Sequence, residues 1–365
     1  FFDIAAEMED VISLGVGEPD FITPWSIRES CIYGLEQGYT AYTSNRGLLE
    51  LREEIAALYE RRHQISYDAA EECLVTVGVS EGLDIAMRAI IGEGDEVLIP
   101  EPCYVSYKAC VTLAGGTPVP VAAKIENEFR ITAAELEEHL TPRTKVLLIG
   151  YPNNPTGAIM RHSDLLEIAS FAEKHDLIVI SDEIYGDLTY GEAAHTCFAA
   201  LPGMKDRTIL LNGFSKAYAM TGWRIGYPVI TAAMTKIHQY TMLCAPITAQ
   251  IAAVEALRHG EKYMKKMVAE YDKRRRLIYD GFCKIGLDCF EPKGAFYIFP
   301  SIQSTGLSSE EFAEKLLYSE RVALVPGTAF GACGEGFVRC SYATSVANIT
   351  EALVRIENFI NKHVK

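Results

Sequence analysis

The segment GFSKAYAMTGWRIG, residues 213–226, places a lysine and an arginine among small residues. Lys216 and Arg224 are eight positions apart. A lysine with a lowered pKa can form a Schiff base with a carbonyl compound, and an arginine can bind a phosphate through two parallel hydrogen bonds. Two solvated cations on a surface loop are the alternative, so the surrounding sequence has to discriminate between the two interpretations.

Polar or aromatic side chains follow each of five predicted β-strands. Ligands of parallel α/β sheets bind beyond the carboxyl ends of the strands, where such side chains come together. The placement of all these side chains at one edge of the sheet indicates a ligand-binding site more strongly than any single residue does. In chain order these strand-end residues are Val79, Ser80, Glu81, Tyr104, Asn154, Asp182, Tyr185, Ser215 and Lys216.

The residue types at these strand ends fit one ligand. A helix N-terminus binds phosphate, and an aspartate can pair with a protonated ring nitrogen. A tyrosine ring can stack on a flat heterocycle, while a phenol and an amide can bind a ring oxygen. Together with the lysine, this set predicts pyridoxal 5'-phosphate (PLP) as cofactor.

Short apolar runs alternate with amphipathic stretches from residue 73 onward. Strands are predicted at 73–78, 95–100, 144–150, 177–183 and 207–214. Helices are predicted at 81–91, 105–115 and 162–175, the last with Ser163 as N-cap. Near-continuous β-rich runs separated by helices are typical of an α/β fold whose mostly parallel sheet is covered on both faces.

The pattern changes after residue 260. Residues 260–286 predict one long amphipathic helix, and short strands are expected within 295–302, 322–327 and 337–343. A capping box, Ser308-x-x-Glu311, opens another helix, and a final helix starts near residue 346. We therefore predict a large α/β domain at 34–262 and a smaller α+β domain formed by 1–33 and 263–365.

Composition limits the classes of function. The 365 residues are 49% hydrophobic and 23% charged, with a net charge of -15, which argues against binding to nucleic acid or anionic membranes. The ten cysteines show no C-x-x-C spacing, so we expect reduced thiols in a cytoplasmic protein and no metal site. No apolar run approaches the roughly 18 residues that span a bilayer.

Four motifs occur in an order that resembles the PLP-dependent aminotransferases of fold type I, classes I and II. They are GEPDF, YPNNPTG, SDEIY and GFSKAYAMTGWRIG, and the similarity runs from about Leu14 to the C-terminus. The resemblance implies an α/β fold with a mostly parallel, seven-stranded type of sheet flanked by helices, and a smaller α+β domain.

The resemblance also implies roles for the strand-end residues. Lys216 would hold PLP covalently and then shuttle a proton, and Asp182 would keep the ring nitrogen protonated. Tyr185 and Asn154 would bind the ring oxygen, and Tyr104 would stack on the ring and lie beside the substrate. The residues implied at the phosphate are Val79, Ser80, Glu81, Ser215 and Arg224.

Three further positions match family motifs that bind the substrate or the partner subunit. Arg339, in FVRCSYA, would bind the substrate α-carboxylate, assisted by Asn154. Gly17, in GVGEPDF, matches a backbone position that closes over the substrate. Tyr42, in YTSNRG, matches a tyrosine that reaches the phosphate of the other subunit, which implies a homodimer with a shared active site.

Two departures from the family pattern bear on the ligands. Many relatives have serine three residues before the lysine, where this chain has Gly213. The segment HQYTMLCAPITAQ, residues 238–250, offers no counterpart of the arginine that binds a side-chain carboxylate in the aspartate-specific subgroup. Aromatic or broad amino donors are therefore favoured over strict aspartate specificity.

The predicted function is PLP-dependent transfer of the amino group of an L-amino acid (aromatic, aspartate or broad) to a 2-oxo acid such as 2-oxoglutarate. The reaction would be ping-pong through pyridoxamine phosphate, in the metabolism or biosynthesis of amino acids. A PLP-dependent carbon–sulfur lyase on the same fold is the alternative. A ligand-sensing regulator would need a basic DNA-binding segment, and a nicotinamide enzyme would need the spacing G-x-G-x-x-G; neither is found in the 365 residues.

Overall fold

The central layer of the molecule is a β-sheet. In a computed structural model that describes residues 8–229 and 232–363, this sheet has six strands. The strands of the chain are β1 (Ile12–Ser13), β2 (Glu96–Glu101), β3 (Thr117–Ala122), β4 (Thr144–Gly150), β5 (Ile178–Asp182), β6 (Thr208–Gly213), β7 (Gly226–Val229), β8 (Tyr297–Ile298), β9 (Val322–Ala323), β10 (Val325–Pro326) and β11 (Val338–Ser341).

The order in the large sheet is β3-β2-β4-β5-β6-β7. Neighbouring strands from β3 to β6 are parallel, and β7 runs antiparallel to β6. Strand β4 shows why the sequence forms this layer, since Leu147 and Leu148 point to opposite faces and are both fully buried. The confirmed fold class is therefore α/β with a mostly parallel sheet covered by helices.

Helices cover the sheet and continue into the C-terminal part. They are α1 (Trp25–Glu36), α2 (Leu49–His63), α3 (Gly78–Ile90), α4 (Ser106–Leu113), α5 (Ala133–Glu137), α6 (His162–Lys174), α7 (Ala232–Thr241), α8 (Ile247–His259), α9 (Glu261–Ile285), α10 (Ser309–Glu320) and α11 (Val346–His363). Short 3-10 turns lie at Ile125–Asn127, Phe198–Ala200, Lys205–Arg207, Gln303–Thr305, Gly327–Phe330 and Ala332–Gly334. Among the described residues, no helix combines the length and apolarity needed to cross a membrane.

Two local predictions differ from the structure. Residues 73–78 do not form a strand; they contact β7 only through isolated bridges from Cys73 and Thr76. Gly78, with a φ of 76°, then turns the chain into α3 directly after the second bridge. Ser163 is not an N-cap, because α6 starts one residue earlier and the Asp164 carboxylate accepts a hydrogen bond from the Arg161 N–H.

The C-terminal part follows the sequence prediction closely. Helix α9 spans 25 residues, and α10 begins with the predicted capping box, in which Ser308 and Glu311 exchange hydrogen bonds of 3.1 and 3.2 Å. Strands β8, β10 and β11 form a separate antiparallel sheet.

The N-terminal segment contacts both parts of the molecule. Strand β1 pairs with β9 in parallel, whereas α1 packs against α8. The division into domains at residues 33/34 and 262/263 stays a prediction.

Candidate active site

A cavity of about 550 Å³ lies at the carboxyl ends of β4, β5 and β6, between the large sheet and the C-terminal part. We call it the active-site cavity. All but two of the predicted site residues line this cavity. The predicted residues that line it are Gly17, Val79, Ser80, Tyr104, Asn154, Asp182, Tyr185, Ser215, Lys216, Arg224 and Arg339.

Lys216 follows the end of β6 and points into this cavity. Its Nζ donates a hydrogen bond of 2.7 Å to the Gly17 carbonyl. Burial lowers the pKa of this amine to about 8, and the nearby Arg339 and Arg224 cations act in the same direction. A larger neutral fraction at physiological pH makes Lys216 a better nucleophile than an exposed lysine, as Schiff-base chemistry requires.

Asp182 is the last residue of β5 and is 7% exposed. Burial raises the pKa of its carboxyl to about 6, although hydrogen bonds from the Tyr107 hydroxyl (2.8 Å) and the Ile184 N–H (3.2 Å) favour the charged form. No ion pair to Asp182 occurs within residues 8–229 and 232–363. A buried carboxylate without an ion-pair partner suits a ligand that brings a cation, such as a protonated ring nitrogen.

The phosphate end of the cavity is formed by the start of α3 and by Arg224. Val79 and Ser80 are the second and third residues of this helix, where backbone N–H groups have no intrahelical acceptor. The Arg224 guanidinium lies so close to Gly78 that a Cβ built there would be 2.5 Å from Nη2. A side chain at position 78 would therefore collide with the guanidinium. The start of α3 and the Arg224 guanidinium together form a site that fits a phosphate group.

The structure explains Gly213, where related sequences often carry serine. A Cβ at this position would lie 2.9 Å from the Cα of Gly226 and 3.1 Å from the Val79 side chain. A serine would therefore collide with the backbone of β7. The polar groups that remain at this end are the hydroxyls of Ser80 and Ser215 and the Arg224 guanidinium.

At the opposite end, Arg339 is held in a fixed orientation. Its Nη1 donates to Asn154 Oδ1 at 3.0 Å, and Nη2 donates to the Gly15 carbonyl at 2.6 Å. The guanidinium also lies 4.6 Å from the ring centre of Tyr297 and 4.8 Å from that of Phe330. A planar, pre-oriented guanidinium at the cavity wall is suited to a carboxylate.

Aromatic contacts hold two of the three predicted tyrosines. Tyr104 is half-buried, and its ring meets that of Tyr107 edge-on with centres 5.7 Å apart. Tyr185 is 6% exposed, and its hydroxyl lies 2.8 Å from the hydroxyl of Tyr297. Both rings are therefore fixed by packing before any ligand enters.

Two predicted residues do not line the cavity. The Glu81 carboxylate accepts a hydrogen bond from the Val77 N–H and pairs with the fully buried His238, so only the Glu81 backbone N–H remains for a phosphate. Tyr42 is 82% exposed, and its predicted role concerns a second subunit, so it stays a prediction.

Sequence interpretation missed several cavity residues. Tyr107 could have been found, because it follows Tyr104 by only three residues and lies in the first turn of α4. Tyr297 was seen only as part of a short strand, and Gly15 and Glu18 only as neighbours of Gly17. No local signal reveals them, since their partners are distant in the chain.

Comparison with known proteins identifies the family. The family model of aminotransferase class I and II matches residues 9–356, and the chain belongs to this family. An aspartate aminotransferase of Pyrococcus abyssi is 47% identical, with 99% of this chain and 94% of that protein aligned. Aromatic-amino-acid aminotransferase 2 of Thermococcus litoralis is 44% identical, with the same coverage of each chain.

A solved structure supports the same conclusion. The crystal structure of an aromatic aminotransferase from Pyrococcus horikoshii OT3 superposes with a TM-score of 0.96, at 45% identity and 99% coverage of both chains. The chain is an aminotransferase, and these relatives favour amino-group transfer over the carbon–sulfur lyase alternative.

Proposed function

We propose that this aminotransferase binds PLP in the active-site cavity and transfers the amino group of an L-α-amino acid to a 2-oxo acid such as 2-oxoglutarate. The observation that carries the proposal is the coexistence of three groups in one cavity. They are Lys216 with a pKa of about 8, Asp182 without an ion-pair partner, and the helix start beside Arg224.

Some of the cavity residues would bind the cofactor, and others would bind the substrate. The bound cofactor supplies an electron sink for the bond that breaks at the substrate Cα. Asp182 would keep the ring nitrogen protonated, and Tyr185 would donate a hydrogen bond to the ring oxygen. Lys216 would hold the cofactor, and its Nζ would carry the proton that leaves the substrate Cα. Arg339 binds the substrate carboxylate.

The cofactor contacts named from the sequence remain part of this proposal. Tyr104 stacks on the ring, and Asn154 binds the ring oxygen or orients Arg339. Ser80 and Ser215 donate hydroxyl hydrogen bonds to the phosphate. The remaining phosphate donors are the Arg224 guanidinium and the backbone N–H groups of Val79 and Glu81.

The cavity also bears on the amino donor. Among its described lining residues the only cations are Lys216, Arg224 and Arg339, and each has a role at the cofactor or the α-carboxylate. Glu18 adds a negative charge at the same wall. A substrate side-chain carboxylate would need a cation from outside this set, which supports aromatic or broad donors over strict aspartate specificity.

A homodimer with shared active sites is part of the proposal. Large apolar side chains near the N-terminus are exposed, including Ile22 (77%), Trp25 (55%), Tyr33 (59%) and Tyr42 (82%). An apolar surface of this kind favours burial against another protein, and a second copy would bring Tyr42 to its neighbour's phosphate. Full activity in a demonstrably monomeric sample would contradict this arrangement.

We infer the cellular location from the thiols. All ten cysteines are unpaired, which supports a reducing compartment, and we place the enzyme in the cytoplasm in amino acid metabolism.

A half-reaction tests the proposed chemistry. The cofactor-loaded enzyme is mixed with one amino acid alone while the cofactor absorbance is recorded. We expect the absorbance to change stoichiometrically and to return only when a 2-oxo acid is added. Spontaneous return with release of pyruvate and ammonia would instead establish a lyase.

A substrate panel tests the donor class. Phenylalanine, tyrosine, aspartate and alanine are compared as donors to 2-oxoglutarate by kcat/KM. We expect the aromatic donors to equal or exceed aspartate. An aspartate preference above about 100-fold, or roughly 2.7 kcal/mol, would contradict the inference from the cavity charges.

A further inference from the structure

Tyr297 lies at the meeting point of three groups that the proposed function uses. Its hydroxyl is 2.8 Å from that of Tyr185, and its ring centre is 4.6 Å from the Arg339 guanidinium. A Cβ built on Gly17, whose carbonyl accepts from Lys216, would lie 2.6 Å from the Tyr297 oxygen. Tyr297 itself is 1% exposed and lines the cavity.

The proton count decides the direction of the hydrogen bond between the two phenols. Burial raises the pKa of Tyr185 well above its ordinary value and also raises that of Tyr297, so both keep their protons at neutral pH. Each hydroxyl has one proton to donate. When Tyr185 donates into the cavity, its oxygen can only accept, and Tyr297 must then be the donor.

We propose that Tyr297 is a positioning residue with two separable parts. Its hydroxyl donates to Tyr185 and makes Tyr185 a stronger donor to the cofactor's ring oxygen. Its ring supports the Arg339 guanidinium that binds the substrate carboxylate. The inference rests on the proposed use of PLP and adds a residue that none of the sequence motifs indicated.

The hydroxyl has a spectroscopic consequence. A donor that is itself hydrogen-bonded is polarised and donates more strongly, and a stronger donor stabilises the anionic ring oxygen. Tyr297→Phe removes this support and keeps the ring. We expect the pH midpoint of the cofactor absorbance to rise by about half a unit, the size of one neutral hydrogen bond.

The ring has a separate consequence for carboxylate binding. Tyr297→Phe keeps the aromatic face, so the affinity for 3-phenylpropanoate, a carboxylate without an amino group, should stay at the parent value. Tyr297→Leu removes the face, and we expect binding to weaken about 3- to 30-fold. The matched control is Tyr342→Phe, which deletes another buried hydroxyl, bonded to the Ala295 carbonyl at 3.3 Å and outside the cavity.

A double-mutant cycle makes the test specific. In a Tyr185→Phe background, adding Tyr297→Phe should cause no further shift of the midpoint, because the receiving hydroxyl is gone. An unchanged midpoint in Tyr297→Phe alone, or an equal shift in both backgrounds, would overturn the inference. The Phe variants decide whether the Tyr297 hydroxyl supports Tyr185, even if Tyr297→Leu does not fold.

The parent enzyme separates this inference from the proposed function. If the parent takes up no PLP, the proposed function fails and the inference fails with it. If the parent shows a cofactor absorbance that titrates with pH while Tyr297→Phe matches it, only the inference is wrong.

Discussion

Replacing Asp182 with asparagine tests the electrostatics of the cavity without the cofactor. The carboxyl has an ordinary pKa of 3.8, and burial raises it to about 6 in the folded protein. A raised pKa means that the folded state prefers the neutral acid. This contribution to stability is fully present below pH 3.8 and is lost as the pH rises through about 6.

The magnitude follows from the size of the shift. At 1.36 kcal/mol per unit, the rise from 3.8 to about 6 corresponds to about 3 kcal/mol of destabilisation at pH 8. Asparagine has nearly the same shape, carries no charge, and offers an oxygen to the Tyr107 hydroxyl and the Ile184 N–H. Cofactor-free Asp182→Asn should therefore be more stable than the cofactor-free parent at pH 8 by up to about 3 kcal/mol, and nearly equal at pH 4.

Urea denaturation of the two cofactor-free proteins, at one protein concentration and across pH 4–8.5, measures this difference. Asp84→Asn, which removes a half-buried carboxylate paired with Arg88, is the control and should stay within about 0.5 kcal/mol of the parent. The assignment would be refuted by a difference that does not change with pH, or by an Asp182→Asn protein that is less stable at pH 8. Added PLP should reverse the order, because the ring nitrogen then pairs with the native carboxylate.

Three further substitutions probe the cavity. Lys216→Ala should leave the cofactor removable by dialysis and lower turnover at least about 10²- to 10⁴-fold; near-normal turnover would disprove the central role of this amine. Tyr107→Phe deletes a hydrogen bond that lowers the pKa of Asp182, so the pH below which PLP binding weakens should rise by about one to two units, as measured by absorbance titration from pH 5 to 8.5, and an unchanged pH dependence would count against it. Gly17→Ala places a Cβ 2.6 Å from the Tyr297 hydroxyl, so KM for the amino acid should rise more than the Kd of PLP, whereas a parent-like KM would show that the segment moves freely.

The amino-acid sequence determined which strand ends carry the chemistry. Asn154, Asp182 and Lys216 each follow a short apolar run, and parallel strands bring their carboxyl ends to one edge of the sheet. Local patterns also predicted α9 and the capping box of α10. These features depend on residues close together in the chain, which is why periodicity and residue type reveal them.

Other features depend on segments far apart in the chain. Tyr297 meets Tyr185 across 112 residues, and Arg339 reaches the Gly15 carbonyl across 324. The apolar residues at 73–78 predict a strand, but in the folded chain this segment meets β7 only at two isolated bridges. Long-range packing of this kind leaves no periodic signal in the sequence.

The tertiary structure also determines the pKa values of the functional groups. The lysine and the aspartate are recognisable by type, whereas their shifted pKa values arise from desolvation by surrounding segments. The same holds for Gly213, which the packing of β7 against α3 requires. Sequence therefore determined the identity and order of the reacting groups, and only the folded chain determined their charge, their partners and the space left for a ligand.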